Sequence, residues 1–321
     1  MGTRLLLSFL LSVVAVASAP AQTYPNKPVR VIVGFGPGGP ADVMARLIAQ
    51  RMPATLGQSW IIDNRPGAGG SIAAKAVAEA EPDGYTLLLG NTSTLVISPL
   101  VYRNVGYDPV KAFAPVAVLG TTSNVMVINP KLPMTSVQEL VAFAKANPGK
   151  LNYATPGAGT PPHLIGETFK VKAGIDIVHV PYKGGGSAGH AVIAGDVQIA
   201  FENPAVSLPL AQAGQVRALA VTSERRNPQA PELPTMIESG IPDFVSVSFT
   251  GVVAPAGTPK PIVDRLSAAI NETLRSSEVH AALTKLSVET RIGSPEDFIA
   301  FLARERERWA VAVKAAGAKV E

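Results

Sequence analysis

Three glycine-rich loops carry most of the chemistry this sequence offers. The first, Gly34-Phe35-Gly36-Pro37-Gly38-Gly39, follows an apolar run at residues 29–35 and precedes a helical pattern at 41–56. It has the form G-x-G-x-x-G, and Asp63 closes the next apolar run. That is the layout of a dinucleotide site whose acid holds the ribose. Pro37 and Pro40, however, remove two N–H donors that a pyrophosphate would need. What remains is a helix start with amides at Gly38, Gly39, Ala41 and Asp42. The unpaired N–H groups and positive dipole end of such a start attract an anion. A carboxylate suits it as well as a phosphate, and a tight turn with no ligand is the competing reading.

The second loop, Gly185-Gly186-Ser187-Ala188-Gly189, has the G-x-S-x-G form of a nucleophile elbow. An exported serine hydrolase would need a His and an acid converging on Ser187. His190 is too near in sequence, and His163, His179 and His280 reach it only through tertiary contact. The third loop runs from Thr155 to His163. Thr155 and Thr160 offer hydroxyls, while Gly157 and Gly159 allow close backbone approach. His163 falls in the first helical turn, where it either fixes the loop or touches a ligand. The chain has no Cys, four scattered His and no H-E-x-x-H. Disulfides, thiol catalysis and thiolate metal sites are excluded, and no metal or cofactor is expected.

The elements that position these loops alternate. Strand-like runs at 29–35, 60–62 and 85–89 are separated by helical patterns at 41–56 and 67–80. The pattern restarts with strands at 125–128, 151–154, 177–180, 197–201 and 218–221, and helices at 136–147, 163–172, 188–194 and 205–213. Strand–helix alternation implies parallel sheets with helical crossovers, here in two α/β units. An extended apolar run at 245–254 follows, then two helices announced by Thr258-Pro259 and Ser294-Pro295. On the last helix Phe298, Phe301, Leu302, Trp309 and Val313 share a core face, and the charged residues 304–308 form its solvated side.

The N-terminus reads as a targeting segment. Arg4 precedes an apolar run at 5–16, shorter than the roughly 20 residues needed to span a bilayer. Ala19-Pro20-Ala21 then has the A-x-A form of a cleavage site, so residues 1–21 are expected to be a signal peptide cut near Ala21. No Cys stands there to take a lipid. A formal charge of +4, spread without a basic block, argues against nucleic acid.

Several motifs together resemble one family. They are Tyr24-Pro25-x-Lys27-Pro28-Val29, Phe35-x-Pro37-Gly38-Gly39-x-x-Asp42, Asn64-Arg65-Pro66-Gly67-Ala68-Gly69-Gly70 and Pro82-Asp83-Gly84-Tyr85-Thr86-Leu87-Leu88. Further on come Gly159-Thr160-x-x-His163-Leu164, His179-Val180-Pro181-Tyr182-Lys183-Gly184, Arg217-Ala218-Leu219-Ala220-Val221-Thr222 and Ala254-Pro255-Ala256-Gly257-Thr258-Pro259. In order and spacing they resemble the receptors of tripartite tricarboxylate transporters, the Bug proteins. The resemblance implies an α/β, two-lobed periplasmic-binding-protein fold of the type II, Venus-flytrap kind. Each lobe would hold a mostly parallel sheet flanked by helices. Residues 22–124 plus 245–321 would form one lobe and 125–244 the other. A two-strand hinge would lie near 121–124 and 245–249.

It also implies a soluble periplasmic monomer that is not an enzyme. Such a receptor captures a small carboxylate (a di- or tricarboxylate, an acidic amino acid or an aromatic acid) and delivers it transiently to membrane transporter subunits. A sensor docking to a membrane signalling partner would use the same fold. Mapped motif by motif, Phe35, Gly38, Gly39, Ala41 and Asp42 would grip a carboxylate, with Thr92 and Ser93 adding hydroxyls. From the other lobe would come Thr155, Gly157, Gly159, Thr160 and His163, then Tyr182 and Lys183, then Glu202 and Asn203. Glu202 stands where the family commonly has Asp.

Overall fold

Short β-branched and leucine-rich runs become strands, and alanine-rich amphipathic stretches become helices. The computed structural model describes residues 24–157, 160–182 and 185–318, without the side chains of 185–187. The expected signal peptide therefore lies outside the described residues. The first unit contains β1 (Val29–Val33), α1 (Pro40–Ala49), α2 (Met52–Thr55), β2 (Trp60–Asn64), α3 (Ser71–Ala78), β3 (Thr86–Asn91), α4 (Ser98–Val101) and β4 (Phe113–Ser123). A 3-10 turn (Ala68–Gly70) leads into α3, and a π-helical turn (Ser93–Ile97) leads into α4.

The second unit contains β5 (Val125–Ile128), α5 (Val137–Ala146), β6 (Asn152–Thr155), α6 (Pro161–Ala173), β7 (Val178–Pro181), α7 (Gly185–Ala194), β8 (Ile199–Glu202), α8 (Pro204–Gln212) and β9 (Arg217–Val221). The chain returns through β10 (Val247–Pro255), α9 (Lys260–Arg275), α10 (Ser277–Lys285), β11 (Glu289–Thr290) and α11 (Pro295–Ala316).

The strands form two sheets, ordered β11-β4-β10-β3-β1-β2 and β7-β6-β8-β5-β9. Both are mixed rather than mostly parallel. β1 runs parallel to β2 and β3, and β6 to β7 and β8, as helical crossovers dictate. The strands that carry the chain between sheets break this rule: β10 is antiparallel to β3 and β4, and β5 to β8 and β9. β4 was not legible, because Pro115 and the polar end Thr121-Thr122-Ser123 interrupt any simple alternation. The helical pattern at 41–56 splits into α1 and α2, since the Pro53 ring cannot follow an unbroken helix. The two expected C-terminal helices are three, with α10 between them.

Local caps behave mostly as their residue types demand. Ser294 accepts from Asp297 N, and the Asp297 carboxylate reaches back to Ser294 N, closing a capping box on α11. Ser136 accepts from Glu139 N, while Glu139 turns back to Thr135 N at 2.6 Å. At α9 the Thr258 hydroxyl bonds Pro255 O instead, and the cap position falls on Pro259.

The first sheet is buried on both faces. Val31, Leu87 and Leu89 pack with Ile48 of α1 and with Leu266 and Ile270 of α9. Ile32 and Leu88 face the opposite way, into a core with Val77 of α3 and Phe298 of α11. That second core runs on to Phe169, Phe201 and Phe244 of the other unit, because α11 packs on both β4 and α6.

Thr222 fastens the two crossings to each other. Its hydroxyl accepts from Asn124 N at 2.8 Å and donates to Ser246 O at 2.6 Å. Its own backbone N–H donates to Asn124 O, and its carbonyl accepts from Ser246 N. Thr222 is fully buried and Ser246 buried, while Asn124 is half-buried at the cleft. Thr222→Val keeps the shape but leaves Asn124 N and Ser246 O without their bonds to its hydroxyl. Each such group costs about 1–3 kcal/mol. Urea denaturation is expected to show a loss of that order, larger than that for Thr222→Ser.

Candidate functional site

A cleft of about 490 Å³ opens between the two sheets. Gly38 and Ala41 at the start of α1, and Asn91, Thr92 and Ser93 after β3, line it from the first unit. Pro161 and Pro162 at the start of α6, and Asn203 and Ala205 at the start of α8, line it from the second. The hinge supplies Thr122, Ser123, Asn124, Ser248 and Thr250 as its floor. Val43, Met44, Val206, Leu286 and Val288 add apolar wall. Among the described residues no ionisable side chain lines the cleft. Positive polarity comes instead from the dipole ends of three helix starts. α6 opens on Pro161 and Pro162, and at α8 Asn203 already takes the Ala205, Val206 and Ser207 amides, so α1 alone offers unpaired first-turn amides among the described residues.

The loop before α1 is braced from behind by Asp42. The Asp42 carboxylate is buried and accepts from Gly38 N at 2.9 Å. Arg46 Nε donates to both of its oxygens, at 3.1 and 2.9 Å, and Asn64 Nδ2 donates to Oδ1 at 3.0 Å. The same Asn64 amide reaches Phe35 O at 2.9 Å. The Arg46 bond, with help from Gly38 and Asn64, pulls the Asp42 carboxyl down to about 2 against the cost of burial. The amide of Gly38 is thus taken by Asp42, and Gly39 N makes a long turn bond to Gly36 O. In the first turn of α1, behind Pro40, the amides of Ala41 and Asp42 precede the helical hydrogen-bond ladder, and Ala41 lines the cleft. Gly34 serves packing: a Cβ there would lie 2.7 Å from Gly70 Cα. Phe35 packs on the first-unit core.

Thr92 lines the cleft but has a structural bond as well, accepting from Phe249 N at 2.7 Å and tying the π turn to β10. The loop after β6 is organised from below. Thr155 is fully buried, with Oγ1 at 2.6 Å from His179 Nε2. Thr160 Oγ1 donates to Gly157 O at 2.7 Å. The ring of buried His163 stacks on His179 at 4.1 Å, and Tyr153 donates to Glu167 at 2.6 Å in the same layer. Thr155 and His163 therefore support the loop and do not line the cleft. Tyr182 is half-buried and donates its backbone N–H to Thr155 O. Gly159 and Lys183 lie outside the described residues.

Glu202 ends β8 beside the cleft, and burial pushes its carboxyl up to about 7. Asn203 next to it caps α8, accepting from Ala205 N at 2.8 Å. Of the expected residues, Gly38, Ala41, Thr92, Ser93 and Asn203 meet at the cleft, while Phe35, Gly39, Asp42, Gly157, Thr160, Tyr182 and Glu202 stand around it. The hinge hydroxyls and Asn91 were not foreseen as lining groups. Their signal was the polar run Thr121-Thr122-Ser123-Asn124 at an already expected crossing.

Both stacked imidazoles are held neutral. Burial is the largest cause, and it takes His179 down to about 4, with neighbouring His163 adding to it. A depressed histidine supports the fold fully above its ordinary value of 6.5, and that support is lost as pH falls through about 4. Denaturation midpoints are expected to fall across that window. His179→Gln should flatten the slope; an unchanged slope would remove the pair from the pH response.

Comparison with known proteins agrees with this geometry. A family model described as the tripartite tricarboxylate transporter family receptor matches residues 44–318. BugT of Bordetella pertussis is 38% identical over 314 residues, covering 98% of this chain and 96% of its own. An R. palustris protein solved with adipate is 38% identical, with a TM-score of 0.80, covering 92% of this chain and 100% of that one. MatC from Rhodopseudomonas palustris, solved with bound malate, is 33% identical, with a TM-score of 0.76 over 90% of this chain and 100% of that one. With relatives matching along nearly its whole length, the chain belongs to the tripartite tricarboxylate transporter receptor family and has its two-lobed periplasmic-binding-protein fold.

Proposed function

We propose that this chain is an exported, monomeric periplasmic receptor that captures a small carboxylate and delivers it to the membrane subunits of a tripartite transporter. One lobe comprises residues 22–124 plus 245–321 and the other 125–244. The observation that carries the reading is the cleft itself: three helix starts and a floor of hydroxyls, with no charged side chain among the described lining residues. Such a surface holds an anion through backbone amides and dipoles, which are fixed in place and need no counter-charge to be desolvated. A neutral sugar would leave the dipoles uncompensated, and a cation would oppose them.

The apolar walls from Val43, Met44, Val206, Leu286 and Val288 suit methylene groups. An aliphatic dicarboxylate, with one carboxylate at each lobe, fits this division best. Two relatives solved with adipate and with malate support that class. No helix among the described residues is long and apolar enough to cross a membrane.

Thermal-shift screening tests the reading. A ligand at 100 times its dissociation constant adds about 2.7 kcal/mol, so an aliphatic dicarboxylate should raise the melting temperature saturably. A rise with a neutral sugar and none with any carboxylate would overturn it. Asp42→Ala removes the brace behind Gly38 without touching the cleft. It is expected to weaken dicarboxylate binding by roughly tenfold or more in calorimetry, by the loss of one or two charge-assisted hydrogen bonds. The chain should remain folded by circular dichroism.

A further inference from the structure

A second cavity, of about 340 Å³, lies on the other face of the hinge. Successive residues of a strand point to opposite faces. Thr122 and Ser248 line the cleft, whereas their neighbours Thr121 and Val247 line this pocket. Its wall on one side is α11, with Arg304, Glu305 and Arg308, joined by Arg291 just after β11. Its wall on the other side is the segment after β9, with Arg225. The α11 wall packs on both β4 and α6, and the opposite wall follows β9 of the second sheet.

The charges of the pocket are unevenly matched. Glu305 forms the floor, only 1% exposed, and its carboxylate is already occupied: Arg308 donates to Oε1 at 2.7 Å and Trp309 Nε1 to Oε2 at 3.2 Å. Arg291 lies over the Phe301 ring, 5.4 Å from its centroid, and its charge, like that of Arg304, also acts on the Glu305 carboxyl without forming an ion pair within 4.0 Å. Arg225, Arg291 and Arg304 form no ion pair within 4.0 Å among the described residues, and neither do Glu224 and Glu289 at the pocket rim. In all, four guanidiniums meet three carboxylates around this recess, and only Arg308 and Glu305 form an ion pair there.

We infer that this pocket is a second anion site, taking a small doubly charged oxyanion between Arg225 of one wall and Arg291 and Arg304 of the other. Guanidinium forks bind two oxygens of such a group at once, a geometry that a monovalent halide cannot use. The site is separate from the cleft and does not depend on the identity of the cleft ligand.

The pocket contains its own reporter. Trp309 touches the floor carboxylate, and Trp60 is the only other tryptophan in the chain. In the full Trp60→Phe chain, titration with inorganic phosphate is expected to change Trp309 emission saturably, while sodium chloride at matched ionic strength does not. Adding Arg291→Ala and Arg304→Ala should weaken phosphate binding by roughly tenfold or more, since each removes charge-assisted hydrogen bonds. If Trp60→Phe does not fold, calorimetry of phosphate binding to the unsubstituted and the Arg291→Ala/Arg304→Ala chains gives the same comparison. No saturable signal, an equal response to chloride, or an undiminished affinity in the double variant would each overturn the assignment.

Discussion

Four hydrogen bonds at Thr222 fix where the two halves of this molecule meet. Through them the outgoing crossing at Asn124 and the returning crossing at Ser246 are held side by side. β4 and β10 then run antiparallel through the middle of the first sheet, and β4 continues directly into β5 of the second. The hinge is therefore a paired ribbon rather than two loose linkers. Everything of functional interest lies on one face of this ribbon or the other.

On the cleft face, electrostatics is built from the backbone. A carboxylate bound by lysine or arginine needs those cations stripped of water, at a cost that often equals the gain. Helix-start amides are already positioned and carry only partial charge. The buried Asp42 makes sense in this light. It lies one turn behind the cleft, neutralised by Arg46, and holds Gly38 and Phe35 through its own and Asn64's hydrogen bonds. The negative charge supports the loop's shape and is kept from the ligand by its partners. The second unit achieves the same rigidity differently, with neutral stacked histidines and the Thr155 hydroxyl beneath the loop.

Much of this was legible in the sequence, for physical reasons. Strands such as β1 and β3 are short, apolar and bounded by glycine or proline, and the caps at Ser136 and Ser294 announce their helices. Two α/β units and the helix starts beside the glycine-rich loops followed from such local features, and the mapped residues Gly38, Ala41, Thr92, Ser93 and Asn203 do meet at one cleft. What stayed hidden depended on tertiary placement. Nothing local shows that a carboxylate braces a loop, so the bracing role of the Asp42 side chain, beside its first-turn amide, was not foreseen. For His163 the sequence left loop support and ligand contact open, because the layer of Tyr153, Glu167 and His179 beneath it and Thr155 is assembled from three separate elements. β4, with Pro115 and a polar tail, shows itself as a strand only when β10 pairs with it.

The central claim is that a carboxylate is held here by helix starts and hydroxyls rather than by a cationic side chain. A crystal structure of the chain with adipate tests it most directly. One carboxylate is expected about 2.7–3.1 Å from first-turn amides of α1, and the other on hydroxyl or amide groups of the hinge and of the second-unit wall. Adipate paired to a lysine or arginine, or seated anywhere but the cleft, would contradict it.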